Sequence, residues 1–121
     1  MAIKGNISVG VQDLAASAAD KVIHNISTRT AITAASLHNK TVGAVAITIY
    51  ESPNGTSASG KEVAKITLAA SGTAGDSKDI TEIIGQGYAA TTTLVAVVTT
   101  VAISAGDVNA KLTYTQYTGA S

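Results

Sequence analysis

The 121-residue, 12.0 kDa chain has the size of one domain, and its eight basic residues balance its eight acidic ones. Half of it is Ala, Thr, Ser and Gly, and it lacks Cys, Phe and Trp, which excludes disulfides and thiolate metal sites. The balanced charge and a charged fraction of only 13% argue against nucleic-acid binding, which needs a basic face, and indicate a surface that packs against other protein subunits.

The first twenty residues predict a segment outside the main core. Residues 1–10 alternate weakly at their apolar positions, which is typical of an extended arm or an edge strand. Asp13 is a possible N-cap before residues 14–19, so a short helix or a loop is expected there. The apolar stretches are too short for a signal peptide or a membrane span, so we expect a protein that is made in the cytoplasm and does not enter membranes.

Seven further segments have the β-branched, alternating composition of strands. They follow one another at short intervals, and no segment between them is long enough for a crossover helix. The predicted strands are residues 21–27, 30–39, 42–51, 62–70, 79–84, 92–103 and 110–117.

The alternation also predicts how individual strands are buried. Residues 45–50 alternate between larger apolar residues and Ala, Thr or Tyr, which indicates a half-buried strand. Residues 94–103 are apolar or Thr at both parities, which is typical of a central strand covered on both faces. Between Ile32 and Leu37 the apolar parity switches, so we expect a β-bulge or a bend in that strand.

Turn signals rich in Gly, Asn, Asp and Ser separate the strands, at residues 52–55, 71–76, 85–87 and 105–107. Short strands joined in this way predict an all-β fold, a single antiparallel β-sandwich or jelly-roll-like domain of about seven strands. We assign residues 21–121 to this domain. Residues 1–20 are assigned to an extended N-terminal arm or edge segment with a possible short helix.

Two glycine-rich segments partly match nucleotide-binding motifs. Residues 55–61 match the first seven positions of a P-loop, but Glu62 stands where Ser or Thr would ligate magnesium. Residues 85–90 fit the dinucleotide pattern G-x-G-x-x-A, but the Thr-rich residues that follow are poor helix formers. We interpret the first segment as a hairpin loop and expect neither segment to bind a nucleotide.

The remaining candidates for site chemistry are two histidines and three acids. His24 and His38 have no partner at a fixed spacing, so we expect each on a strand face or end, hydrogen-bonded or solvated. Asp76, Asp79 and Glu82 lack the oxygen spacing of a calcium loop and predict a solvated turn. No serine lies in a nucleophile elbow. We therefore assign no catalytic, cofactor-binding or metal-binding residue and expect a protein that is not an enzyme.

The aromatic residues are all tyrosines, namely Tyr50, Tyr88, Tyr114 and Tyr117. A carbohydrate-binding sandwich would use such rings as stacking platforms, usually together with Trp, whereas scattered tyrosines are typical of strand ends. Four asparagines begin N-x-Ser/Thr triplets, which we interpret as incidental in a chain this rich in Ser and Thr: Asn6, Asn25, Asn39 and Asn54.

Residues 29–41 read Arg-Thr-Ala-Ile-Thr-Ala-Ala-Ser-Leu-His-Asn-Lys-Thr and lead into Val-Ala-Ile-Thr-Ile-Tyr at residues 45–50. The chain also has an apolar segment at residues 94–98 and the sequence Ala-Gly-Asp at residues 105–107. In these segments together, it resembles small β-sandwich virion proteins of tailed phages. The resemblance spans residues 21–117, and residues 14–19 have no counterpart in it. It implies a head decoration (cement) protein or a tail component, with copies arranged around the symmetry axes of a capsid.

The low charge and the apolar N-terminal segment agree with this resemblance. We expect a non-enzymatic virion structural protein, a capsid decoration protein at the capsid surface, assembled in the host cytoplasm. Its expected partners are the major capsid protein and copies of itself, with a homotrimer favoured and no nucleic acid, membrane or cofactor. A tail or adaptor structural protein and a carbohydrate-binding β-sandwich module are the alternatives, followed by a small hydrolase.

Overall fold

Two antiparallel β-sheets pack against each other in the computed structural model, which describes residues 2–13, 20–26, 29–89, 91–99 and 108–118. Strands account for 59% of the chain, and no α-helix occurs among the described residues. The antiparallel β-sandwich predicted from the alternation is therefore confirmed. Its strands are β1 (Ala2–Asp13), β2 (Lys21–Asn25), β3 (Thr30–Asn39), β4 (Val45–Ser52), β5 (Lys61–Leu68), β6 (Ser77–Asp79), β7 (Gly87–Tyr88), β8 (Thr93–Val98) and β9 (Val108–Thr118).

Sheet A has the strand order β1-β9-β3-β6, with β7 also paired to β3, and sheet B has the order β2-β8-β4-β5. All of these pairs are antiparallel. Two of the four inner strands, β9 and β8, come from the last third of the chain, and each lies between strands from the first half. Both sheets therefore depend on contacts between residues that are distant in sequence.

The core between the sheets is built mainly from Ile, Leu, Val and Ala. All six residues of β8 are buried, which confirms the central-strand prediction for this part of residues 94–103. Burying each large aliphatic side chain stabilises the fold by about 1.5–3 kcal/mol. The largest of those that are fully buried are Ile23, Ile26, Ile32, Leu37, Ile47, Ile49, Leu68, Ile80, Ile83, Leu94 and Leu112.

Strand β3 has the predicted bounds and the predicted bulge. Its register against β9 shifts between Ile32 and Ala34. Ile32 is buried before the bulge, and Ala35 and Leu37 are buried after it. The extra residue thus lets both halves of the strand direct their larger apolar side chains into the core.

The strand predicted at residues 79–84 is wrong. β6 ends at Asp79, and a turn follows in which the N–H groups of Ile83 and Ile84 donate to the carbonyl oxygen of Ile80 at 3.2 and 3.3 Å. Ile80 and Ile83 are both fully buried. Their spacing of three residues suits this helical turn, in which both side chains point to the same side, rather than a strand of period two.

This turn completes the edge of β3 that faces away from β9. The N–H of Ile80 donates to the carbonyl oxygen of Ala35 at 2.9 Å, next to the pairing with β6. Farther along, the N–H of Gly85 donates to the carbonyl oxygen of Ile32 at 2.7 Å, and the N–H of Ile32 donates to Gln86 at 3.0 Å. β6, the turn and β7 therefore cover this edge jointly.

The N-terminal segment is the edge strand of sheet A, the second of the two predicted alternatives. β1 pairs with β9 from Ala2 to Asp13, with two register shifts along its length. The short helix predicted at residues 14–19 lies outside the described residues. Most of the predicted strand at residues 92–103 beyond Val98 also lies outside them.

Asn39 is fully buried, and both polar atoms of its side chain are hydrogen-bonded. Its Nδ2 donates to the carbonyl oxygens of Gly43 at 2.8 Å and Ala69 at 2.9 Å. Its Oδ1 accepts bonds from the N–H and the hydroxyl of Thr41 at 2.9 and 2.8 Å. Asn39 therefore ties the β3–β4 turn to the segment after β5, and its glycosylation triplet is not accessible in the folded protein.

Candidate functional surfaces

Neither glycine-rich motif is followed by the helix that a phosphate site requires. Residues 55–61 lie in the loop between β4 and β5, and Lys61 is the first residue of β5. The described part of the second motif, residues 85–89, passes from a turn at Gly85, with φ of +83°, into the two-residue strand β7. Because a helix N-terminus supplies the N–H groups that bind phosphate in both motifs, neither segment has nucleotide-binding geometry.

The β4–β5 loop lies against sheet B near the start of β2. A Cβ atom on Gly55 would be 3.7 Å from Cγ2 of Val22 and 3.9 Å from Cγ2 of Thr93. Ser57 donates its hydroxyl and its N–H to the carboxylate of Asp20 at 2.6 and 3.0 Å. The hydroxyl bond, and after it the N–H bond, lower the pKa of Asp20 below its usual value. These bonds tie the loop to the start of β2.

The two histidines lie on different sheets. His38 on β3 is hydrogen-bonded through Nδ1 to the hydroxyl of Ser77 on β6. His24 on β2 packs its ring against that of Tyr114 on β9, and its buried Nε2 has no hydrogen-bond partner among the described residues. Burial lowers the pKa of His24. The structure thus places His38 as expected, whereas His24 contacts the opposite sheet.

The predicted acidic group does not converge on one point. Asp76 accepts a bond from the N–H of Gly72 at 3.0 Å, and Glu82 accepts one from the hydroxyl of Thr81 at 3.2 Å. Asp79 is exposed at the end of β6. Across the described ranges, no three His, Asp or Glu side chains are placed to hold a metal ion.

The tyrosines occupy three kinds of position. Tyr88 is buried in the core, where burial and, secondly, the charge of Glu51 raise its pKa to about 12. Tyr114 packs against the core cluster beside His24, and Tyr50 is half-buried on the outer face of sheet B. The side chain of Tyr117 lies outside the described residues.

The outer face of sheet A is formed mainly by small, uncharged side chains. They come from the positions of β3 and β9 that alternate with core residues. The hydroxyl of Thr33 joins the two strands by donating to the carbonyl oxygen of Thr113 at 3.1 Å. The sheet A face, as we name it, consists of Ala31, Thr33, Ala34, Ser36, Thr113 and Thr115. Lys111 of β9 and Asp79 of β6 lie opposite Ser36 and place two exposed, charged side chains at the end of this face.

Strand register determines the composition of the outer face of sheet B. Directly opposite residues share a face, and β4 places Ala46, Thr48 and Tyr50 opposite Thr67, Lys65 and Glu62 of β5. On the other side of β4, Val97 lies opposite Thr48, and the N–H of Thr99 donates to the carbonyl oxygen of Ala46 at 2.9 Å.

A depression of about 340 Å³ lies among these residues on the outer face of sheet B. We name it the sheet B depression, and the side chains that form it are Ala46, Thr48, Tyr50, Glu62, Lys65, Thr67 and Thr99.

Of these residues, sequence reasoning singled out only Tyr50 as a possible ligand platform. Thr48, Thr67 and Thr99 lie far apart in the chain and match no motif. Their convergence depends on the pairing of β4 with both β5 and β8, and on a register shift beside Ile49 and Tyr50.

No protein-family description matches the chain, and neither the curated proteins nor the solved structures contain a match to it. Among the described residues, no helix is long and apolar enough to cross a membrane.

Proposed function

We propose that this chain is a non-enzymatic virion structural protein, a capsid decoration protein that binds and stabilises the lattice of the major capsid protein. The sequence that resembles small phage virion proteins forms β3, the following turn and β4. β3 and β4 are inner strands of their sheets, and each pairs with a second inner strand, β9 or β8. The resemblance therefore concerns the centre of the fold.

The sheet A face is the observation that carries this proposal. Its six members are Ala, Ser or Thr, and the charged Lys111 and Asp79 lie at its end. A partner surface could therefore approach the backbone of β3 and β9 closely while these two charges stay at the rim of the contact. Protein interfaces are depleted of charged residues at their centre, as this face is. We assign the face to contact with the major capsid protein.

A homotrimer is the proposed oligomeric state. With only 13% of its residues charged and no net charge, a single chain lacks the densely charged surface of most soluble monomers. Closed symmetry covers such surfaces, and a trimer matches the local three-fold sites of an icosahedral shell. Many copies on one lattice would then bind by avidity although each contact is small.

Fractionation of purified virions into heads and tails, followed by mass spectrometry, tests the location of the chain. Decoration of the capsid predicts the protein in the head fraction, and capsids without it should lose their contents at a lower temperature than capsids to which it is added back. Its presence only in tails would favour the tail or adaptor alternative. Its absence from both fractions would contradict a virion role.

A carbohydrate-binding module is the second candidate function, because the sheet B depression places an aromatic ring beside several hydroxyl groups. The genes that neighbour this one discriminate between the candidates. Capsid and protease genes favour decoration, tail-tube or tape-measure genes favour a tail part, and a glycosidase gene favours a carbohydrate-binding module.

A further inference from the structure

Thr48 forms the floor of the sheet B depression, and its hydroxyl is available to a ligand. The residue is only 3% exposed. No hydrogen bond joins its Oγ1 to any other described residue. Among the described residues, the only buried side-chain nitrogen or oxygen atom without a partner is Nε2 of His24. Oγ1 of Thr48 is therefore accessible at the base of the open depression, where water or a ligand can bind it.

The depression exists because short side chains lie between longer ones. Ala46 and Thr48 on β4 are flanked by Lys65 and Thr67 on β5, and Tyr50 bounds the depression farther along β4. Its volume of about 340 Å³ is near the lower end of the range for small-molecule sites. It can therefore hold a single ring-sized group.

The groups around the depression suit a neutral ligand that carries several hydroxyls. Nζ of Lys65 and Oε1 of Glu62 lie 3.7 Å apart, so their charges largely compensate each other. Together they offer both hydrogen-bond donors and acceptors, and Thr67 adds a hydroxyl. The hydroxyl of Thr99 donates to the carbonyl oxygen of Ala46 at 3.4 Å and can still accept a hydrogen bond. A phosphate or another anion would meet the carboxylate of Glu62, and an apolar peptide would leave these polar groups without partners.

The backbone of the β4–β5 loop approaches Tyr50 closely at Gly60. A Cβ atom on Gly60 would lie 3.1 Å from Cβ of Tyr50 and 3.1 Å from the carbonyl oxygen of Glu51. The absence of a side chain at Gly60 therefore lets the loop approach β4 closely beside the ring.

We propose that the sheet B depression binds the ring of a neutral pyranose sugar, which stacks on Tyr50 and forms a hydrogen bond with the hydroxyl of Thr48. Glu62 and Lys65 contact two of the ring hydroxyls from the β5 side. The site belongs to one chain, so this proposal does not rest on the virion assignment.

Titration of the full-length ¹⁵N-labelled chain tests the proposal by NMR. The probes are the methyl glycosides of glucose, galactose and mannose, N-acetylglucosamine, and the anionic sugar N-acetylneuraminic acid, each to about 50 mM, since a single ring is expected to bind with a millimolar Kd. At least one neutral sugar should shift the amide signals of residues 46–50 and 62–67 in a saturable way.

Two variants separate binding from folding. Thr48→Val removes the hydroxyl and keeps the shape, so sugar affinity should fall about tenfold while the Tm stays the same or rises. Tyr50→Leu should cause a similar loss of affinity through the missing ring face. Thr113→Val, on the outer face of the other sheet, is the matched control and should leave the affinity unchanged.

The proposal is overturned if no neutral sugar produces saturable shifts, or if the shifts lie away from sheet B. Binding of the anionic sugar alone would overturn the neutral ligand class. Full affinity in Thr48→Val would overturn the assigned role of its hydroxyl. The titration does not measure capsid binding, so a failure to bind sugar would leave the proposed virion role unaffected.

Discussion

His24 of β2 and Tyr114 of β9 form a ring contact between the two sheets, with 4.3 Å between the ring centroids and 33° between the ring planes. Nε2 of His24 is buried, and among the described residues it has no hydrogen-bond partner. Protonation would place a positive charge at this unpartnered nitrogen. The contact therefore makes the stability of the sandwich depend on pH.

Acidification below pH 6.5 is expected to destabilise the protein through His24. Burial lowers its pKa in the folded state, so the unfolded chain takes up a proton first. This contribution to stability is complete above 6.5 and is lost as the pH falls towards the lowered pKa of the folded state. Urea unfolding midpoints between pH 8 and 5 should fall less in His24→Phe than in the native chain. Identical profiles would contradict the prediction.

Alkaline titration should reveal one late tyrosine. Burial and the charge of Glu51 raise the pKa of Tyr88 from 10.0 to about 12. When the absorbance titration of Tyr88→Phe is subtracted from that of the native chain, the difference should therefore show a phenolate step near pH 12. The unfolded state releases its proton earlier, so stability is complete below pH 10 and decreases above it, by on the order of 2 kcal/mol. A difference step near pH 10 in folded protein would show that Tyr88 is solvated.

Asn39→Ala is expected to reduce the free energy of unfolding by about 3 kcal/mol, because it leaves the Gly43 and Ala69 carbonyls and the Thr41 N–H without this partner. Urea denaturation measures the change. Asn25→Ala, at an exposed position of β2, is the control and should stay within about 0.5 kcal/mol of the native chain. Equal effects of the two variants would contradict the structural role of Asn39.

Asp20→Ala should loosen the β4–β5 loop without unfolding the sandwich. The amide of Ser57 loses its carboxylate partner, so its hydrogen exchange should become faster. In the native chain the protection is present above pH 3.8 and is lost as the pH falls through the lowered pKa of Asp20. Asp79→Ala, an exposed change on β6, should leave the exchange of Ser57 unaltered. An unchanged rate in Asp20→Ala would contradict the anchoring role.

Self-association of the native chain should be measurable in solution. We expect sedimentation at about 100 μM to show a trimer, because the neutral surface gives little electrostatic repulsion between copies. A monomer at this concentration would contradict self-association.

Thr113→Arg on the sheet A face should abolish capsid binding, since a charge would have to be buried there. Thr67→Arg on the outer face of sheet B is the control and should bind normally.

Local pattern was sufficient for β3 and β4 but not for the residues after β6. The parity switch between Ile32 and Leu37 predicted a real bulge because each side of it keeps a strict alternation. Residues 79–84 contain three isoleucines and suggested a strand. Their spacing instead serves a turn whose side chains fill the core, and a single sequence does not distinguish these outcomes because tertiary contacts decide between them.

The sheet B depression could not be derived from the chain alone. Thr48 meets Lys65 only because the β4–β5 register is shifted near Tyr50, and a slip of one residue would send one of the paired side chains to the core. Thr99 reaches Ala46 from more than fifty residues away in the sequence. Surface sites assembled from register carry no signal in spacing or motif.

The turn that covers β3 also limits how these molecules can associate improperly. A strand from another molecule could pair with β3 at this margin only by displacing the backbone bonds to Ile80, Gly85 and Gln86. Displacement would expose two fully buried side chains, Ile80 and Ile83, to water, which is unfavourable. Chains at high concentration are thus protected on this side from the edge-to-edge stacking that leads to fibres.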